Sequence, residues 1–297
     1  MERRAAAAIL WCSTVLGLCP VVAAAVTAPA DAPNAPAGAN AAAVPDAQAV
    51  PGAQAVPDVP AGPSIAMVVP WGSGGAMLAR RGGDESSPEG PMSFAVAPDG
   101  RFFVLDQASG RVAVFRPDGS LDARMALPAT TFQDIDLAPD GRVVVLDRLV
   151  RNSLLVLGPG GETLGEHRID GPGIPEGGAV TALMVRPDGA WLEVLHEQSV
   201  RVLGPDLAPC ERAAIPGRPA HGGAADGWLA AEIAEAGAVA VVSGRPGGER
   251  VRGTVRAAGA ITRIAWLEAD AAGRVTVTFE VGQWDRDGGR PSSRGAV

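Results

Sequence analysis

The side chains with obvious chemical capacity in this sequence are three histidines, one serine in a glycine-rich setting, one downstream cysteine, five downstream tryptophans and several turn-borne aspartates. A zinc site wants closely spaced ligands, commonly with cysteine partners, and His167, His196 and His221 share no element. They read as loop histidines, solvated or hydrogen-bonded. Ser73, in PWGSGGAM, comes nearest to a Gly-x-Ser-x-Gly elbow, but it lacks the strand-turn-helix context that exposes such a nucleophile. The run GRPAHGGAADG from Gly217 lacks the Lys-Ser/Thr of a phosphate loop and reads as a connection between structural units. Asp99, Asp140 and Asp188 each precede a glycine, so they are turn formers first and candidate ligands second. Trp71, Trp191, Trp228, Trp266 and Trp284 could line a carbohydrate or aromatic pocket. With six Phe and no Tyr in the chain, four of those five are expected to anchor the core instead. These residues assign no catalytic, cofactor-binding or metal-ligating position.

The elements that would have to position them are β-strands. Across 297 residues, 39 Gly and 26 Pro favour a turn-rich β protein over a helical bundle. Lys is absent, so all 25 basic residues are Arg, and the net charge is −8. Removing Glu2, Arg3 and Arg4 with an export signal would make it more negative. That average field repels nucleic acid, and no basic patch interleaved with aromatics offsets it.

Arg3 and Arg4 precede an apolar run from Ala5 to Val22, followed by Ala23, Ala24 and Ala25. This is the order of charge, apolar segment and small-residue site found in a secretory signal. Residues 1–25 are therefore expected to be a signal peptide or, if uncleaved, an N-terminal anchor. Membrane contact is expected only in the uncleaved case, and the body is expected to be periplasmic, secreted or on the cell surface. Leu18 is too bulky to precede a lipid-attachment cysteine at Cys19, so Cys12 and Cys19 belong to the apolar run. Cleavage after Ala25 leaves Cys210 alone, and the mature chain then has no internal disulfide.

Residues 26–63 are dominated by Ala, Pro and Val, with a six-residue period in AVPDAQ, AVPGAQ and AVPDVP. Regular proline removes backbone donors and holds extended geometry, so this span reads as a disordered, semi-rigid linker.

The domain from 64 to 297 carries a repeat. AVAPDGRFFVLD from Ala95 and DLAPDGRVVVLD from Asp136 agree at eight of twelve positions. An Asp-Gly step between apolar stretches reads as strand, turn, strand. The same spacing continues in MVRPDGAWLEVL, EIAEAGAVAVVS and EADAAGRVTVTF, with turn glycines at Gly100, Gly141, Gly189, Gly237 and Gly273. Intervals of 41, 48, 48 and 36 residues match a four-stranded propeller blade of roughly 40 to 50 residues. The fold class is thus all-β and propeller-like with five blade units, leaving six-bladed, incomplete and open forms undecided. Val96, Phe103, Leu105, Val112, Val114, Leu137, Val144, Leu146, Leu155 and Leu157 are the expected core. Around Asp226 the segment DGWLAAEIAEAG has helical propensity, and the repeat register favours a strand pair. Ile65 to Val69 could supply a closing strand, while the polar tail after Val281 offers no further strand pair.

VLDQASGRVAVFRPDGSL, from Val104 to Leu121, resembles the NHL repeat, in which an Asp ends one strand and an Arg opens the next. Asp106, Arg111 and Phe115 fit it. The second unit matches through Asp147 and Leu157, with Arg148 or Arg151 as the Arg counterpart. The resemblance covers Pro91 to Asp170 well and the remainder weakly. It implies an interaction platform: a non-enzymatic binding or scaffold protein taking a protein, peptide or glycan on one face, with no cofactor. A weaker resemblance, of PEGPMSFAVAPDG from Pro88 to the gluconolactonase-type calcium lactonases, gives the alternative of a metal-dependent lactonase or esterase. It places Glu89 at the first metal-ligand position, Asp134 where the Asn of that family or an equivalent would stand, and Thr181 at the next position. Asn152, the remaining Asn beyond the linker, falls at an outer-strand start. Calcium wants six to eight oxygens, which these residues do not supply.

Overall fold

The computed structural model describes residues 21–26, 67–82, 89–245, 248–257, 259–269 and 275–282. Residues 27–63 of the linker, most of the span read as an export signal, and Ile65, Gly273 and Trp284 lie outside the described residues. The described chain is almost wholly antiparallel β-sheet. It contains no α-helix, and two short 3-10 turns lie at Gln107–Ser109 and Gly177–Ala179.

The PDG motifs explain how the strands begin. Asp99 accepts the Arg101 main-chain N–H at 3.0 Å and pairs with the Arg101 guanidinium at 2.8 Å; Asp140 repeats this with Arg142 at 3.1 and 2.7 Å. Gly100 and Gly141 adopt φ of 87° and 86°, which a side chain would strain. Each four-residue motif therefore closes its own turn.

Strand β1 (Val21–Val26) belongs to the last sheet. The first sheet is a meander of β2 (Ser93–Val96), β3 (Phe102–Asp106), β4 (Arg111–Phe115) and β5 (Leu121–Ala126). The second runs β6 (Asp134–Leu137), β7 (Val143–Asp147), β8 (Ser153–Leu157) and β9 (Thr163–Arg168). The third runs β10 (Val180–Arg186), β11 (Gly189–Val194), β12 (Gln198–Leu203) and β13 (Pro209–Pro216). In the fourth come β14 (Arg218–Ala220), β15 (Gly223–Glu235), β16 (Ala238–Arg245) and β17 (Gly248–Arg256). The fifth has the order β1, β19 (Val275–Gly282), β18 (Ala260–Ala269). Consecutive four-stranded meanders are the blade pattern of a propeller.

Apolar clusters join neighbouring sheets. Phe103, Leu105, Val112 and Val114 pack with Val143, Val145, Leu155 and Leu157 between the first two sheets. Val144, Leu146 and Leu154 meet Leu183, Leu192 and Val200 between the second and third. Leu229, Val239 and Val241 meet Ile261, Val277 and Phe279 between the fourth and fifth. The middle strands β7 and β8 are buried along their whole length, so they read as apolar runs rather than alternations.

Several expectations are corrected. Val96 is 45% exposed, because the segment carrying Met67, Val69 and Leu78 covers β3, β4 and β5 on that sheet face and leaves β2 bare. Leu137 is half-buried, and the other eight core expectations hold. Met67 to Val69 form no strand; the partner of β19 is β1, from Val21 opposite Glu280 to Val26 opposite Val275. That strand ends where cleavage was expected, so cutting after Ala25 would separate Val21–Ala25 from β19. The segment around Gly237 is a strand pair, as the register favoured over helix, but it joins the second and third strands of its sheet. Gly100, Gly141 and Gly189 instead join first and second strands. The short β14 takes the first position. Of the four described downstream tryptophans only Trp191 is buried; Trp71 and Trp266 are exposed and Trp228 is half-buried. Val and Leu on consecutive strands already fill the clusters that aromatic anchors were expected to fill.

Candidate functional site

The first strands of the first three sheets, β2, β6 and β10, lie side by side, and polar side chains of β2 and β6 meet there. The alternation in Asp134-Ile135-Asp136 puts both carboxylates on one side of β6 while Ile135 enters the core. Asp134 accepts the Ser93 hydroxyl of β2 at 2.7 Å and the Leu183 N–H of β10 at 2.8 Å. Asp136 accepts the Val185 N–H of β10 at 2.7 Å and its neighbour Leu137 N–H at 2.8 Å. The steps 134 to 183 and 136 to 185 advance together, so β6 and β10 run parallel. These donors belong to the free edge of β10, and the two carboxylates cap it in place of another strand. Burial raises the pKa of Asp134, against the pull of Ser93 and the two N–H groups. Burial also lifts Asp136 to about 6, although Arg186 and two N–H donors oppose it.

Arg186, at the end of β10, lies between sheets. Its Nη1 is 3.8 Å from Asp136 and its Nη2 is 3.8 Å from Glu268 of β18, both beyond hydrogen-bond range. Among the described residues its direct hydrogen bond runs from Nη1 to the carbonyl of the preceding Val185 at 3.2 Å, and Nε is buried without a partner. A buried guanidinium with unspent donors calls for a water or a ligand group.

Glu193 is the second centre. Its carboxylate accepts Arg218 Nε at 2.7 Å and Nη2 at 3.1 Å, the Thr181 hydroxyl at 2.8 Å, and faces His196 Nδ1 at 3.1 Å. Its pKa is lowered: burial opposes the charge, and Arg218, Thr181 and His196 together outweigh burial. Arg218 also donates to the Leu267 carbonyl at 2.7 Å, and its guanidinium carbon lies 5.1 Å from the centre of the Trp266 ring. One arginine thus ties the third, fourth and fifth sheets together. His196 sits with Leu195 in a two-residue turn where both have positive φ, 60° and 53°.

The sequence candidates are dispersed. Glu89 is exposed, and it forms a main-chain pair with Arg81. Thr181 serves Glu193. Asn152 is a turn residue at φ 52° just before β8. His167 is half-buried on β9, His221 lies in an exposed turn, and Ser73 lies in an exposed bend. Cys210 is a free thiol. Among the described residues no three His, Cys, Asp or Glu side chains are grouped to hold a metal. Asp188 accepts Trp191 Nε1 at 3.1 Å and the Ala224 N–H at 2.9 Å, so it joins the third sheet to the fourth.

Asp106 and Arg111 do pair across β3 and β4 at 2.8 Å, with Asp106 fully buried and also accepting the Ala79 N–H. In the second unit neither expected arginine takes that role. Ser153 lies opposite Asp147, which accepts the Val150 N–H and the Thr131 hydroxyl; Arg151 pairs with Glu166, and Arg148 donates to the Val180 carbonyl. Asp136, Arg186, Glu193, Arg218 and Glu268 were not singled out in the sequence. The Asp-x-Asp alternation ahead of a PDG turn, and a lone Glu inside the apolar strand WLEV, were the available signals.

No protein-family model matches the chain, and no curated protein matches it. Solved structures similar to it include Kuenenia stuttgartiensis hydrazine synthase, at 12% identity and a TM-score of 0.45, covering 65% of this chain and 56% of that one. Virginiamycin B lyase from Staphylococcus aureus is 13% identical with a TM-score of 0.38, covering 62% of this chain and 61% of that one. BamB from Moraxella catarrhalis is 10% identical with a TM-score of 0.35, covering 64% of this chain and 83% of that one. The chain spans less than two thirds of the first two. The fold stands on the sheet order described above, which defines a propeller-like protein.

Proposed function

We propose that the chain is an exported, non-enzymatic binding or scaffold module of NHL-like type, which takes its ligand at the polar first strands of the sheets. The observation that carries this reading is a division of labour among those strands. Asp134 and Asp136 are engaged by main-chain donors, while Arg186 and the exposed Trp266 keep capacity to spare. The buried Asp106–Arg111 pair supports the NHL-like assignment for the first unit. The apolar run after Arg3 and Arg4 supports export. Among the described residues no helix is long and apolar enough to cross a membrane.

Thermal-shift screening of the purified chain against peptide and glycan libraries tests the binding reading, with lactone hydrolysis measured in parallel with and without calcium. Saturable binding without turnover is expected. Calcium-dependent turnover lost on Glu89→Gln would overturn it. Cell fractionation with N-terminal sequencing tests export; a cytoplasmic chain still beginning at Met1 would sink that part.

A further inference from the structure

The side chains of Trp266 and Glu268 lie on one side of β18, while Leu267 between them enters the core. Thr278 and Thr276 are their cross-strand partners on β19. Trp266 is 38% exposed, an unusual position for so large an apolar ring, and Arg218 holds it in place by packing over it. Arg218 is itself fixed by Glu193 and the Leu267 carbonyl. Beside the ring, Glu268, Arg186 and Asp136 form a line of acceptor, donor and acceptor, spaced too widely to satisfy one another. The charges alternate. A cationic ligand would meet Arg186, and an anionic one would meet two carboxylates. A neutral polyhydroxyl compound meets neither obstacle, because each hydroxyl can donate to a carboxylate and accept from a guanidinium.

We infer that Trp266, Glu268, Arg186 and Asp136 form a subsite for a neutral carbohydrate, with a C–H face of the sugar ring against Trp266 and hydroxyls between Glu268 and Arg186. This rests on the reading of the protein as a binding module and names the ligand class of that site.

The test uses the full chain with glucose, galactose, mannose, N-acetylglucosamine and their trisaccharides, read by saturation-transfer NMR and titration calorimetry. At least one probe binds saturably, with little change from low to high salt. Trp266→Ala weakens it by about tenfold or more, the scale of one lost stacking contact. Trp266→Phe, which keeps a ring against Arg218, retains part of the affinity, and Trp71→Ala changes nothing. Glu268→Gln, judged alongside a thermal melt, weakens binding without loss of fold. No transfer from any sugar, or transfer undiminished in Trp266→Ala, overturns the inference. So does a preference for charged sugars with steep salt dependence. If the peptide library binds while every sugar fails, the ligand class is wrong and the binding module stands; if both fail, both readings fall.

Discussion

The guanidinium of Arg218 grips both carboxylate oxygens of Glu193 across the junction between the third and fourth sheets, at 2.7 and 3.1 Å. The neighbouring junctions are sealed by apolar clusters, whereas among the described residues no buried cluster spans this one. Ser199, directly opposite Glu193 on β12, is buried there with its hydroxyl unpaired. Removing one member of a buried ion pair leaves its partner charged without compensation. Glu193→Ala is therefore expected to cost about 3 kcal/mol, and replacing both residues by Leu and Met to cost much less. Chemical denaturation of the three proteins checks this. Equal losses in the single and double variants would show that packing, not the pair, holds the junction.

The two centres respond to pH with opposite sign. Asp136 has a folded pKa of about 6 against 3.8 unfolded, so between those values the folded state holds a proton that the unfolded state has released. Its contribution to stability is largest below pH 3.8 and falls as pH rises to about 6, by roughly 3 kcal/mol in all. Glu193 is depressed, so its contribution is present above its unfolded value and disappears as pH drops through the folded one. Stability curves measured from acid to neutral pH should have a shallower falling limb in Asp136→Ala, with Asp134, whose pKa burial also raises, supplying the rest. They should lose the acid-side rise in Glu193→Ala. A wild-type profile that only rises across this range would remove Asp136 from the account.

The blade turns were legible because their chemistry is local. Asp99, Gly100 and Arg101 make the turn with bonds inside the motif, and the same holds at Asp140, so sequence spacing was enough. The polar convergence was not legible, because Asp134 meets Leu183 and Glu193 meets Arg218 only when separate sheets are stacked. Val96 looked like core by alternation alone. Its exposure depends on how far the segment from Met67 to Leu78 reaches across the first sheet, which no periodicity encodes. The role of β14 was hidden by its length, three residues with a proline at the centre.

Leu195 and His196 hold left-handed backbone in a turn that favours Asn or Gly. The side chain of Leu195 is largely exposed, so little packing is lost on replacing it. Leu195→Gly should stabilise the protein by about 0.5 to 1 kcal/mol through relief of strain. A urea midpoint that fails to rise would mean that Leu195 makes a contact worth more than the strain.

Asp106 and Asp99 belong to the same repeat unit and should differ sharply in tolerance. Asp106 is buried and joins Ala79, Arg111 and two strands, so Asp106→Ala leaves Arg111 and a main-chain donor unmatched and should cost about 3 kcal/mol or more. Asp99→Ala affects an exposed turn and should cost well under half of that. Thermal melts of the two variants decide it, and similar losses would contradict the division.

Each of the first four sheets is built from strands consecutive in the chain, with the second sheet complete before any residue of the third is needed. Such contiguity keeps contacts short in sequence and lowers the entropy lost in loop closure. A chain emerging amino end first can finish one sheet while the next is still being delivered, and the first and second sheets, once finished, each offer the next a ready apolar face. The pairing of β1 with β19 breaks this order, since it cannot form until β19 has arrived.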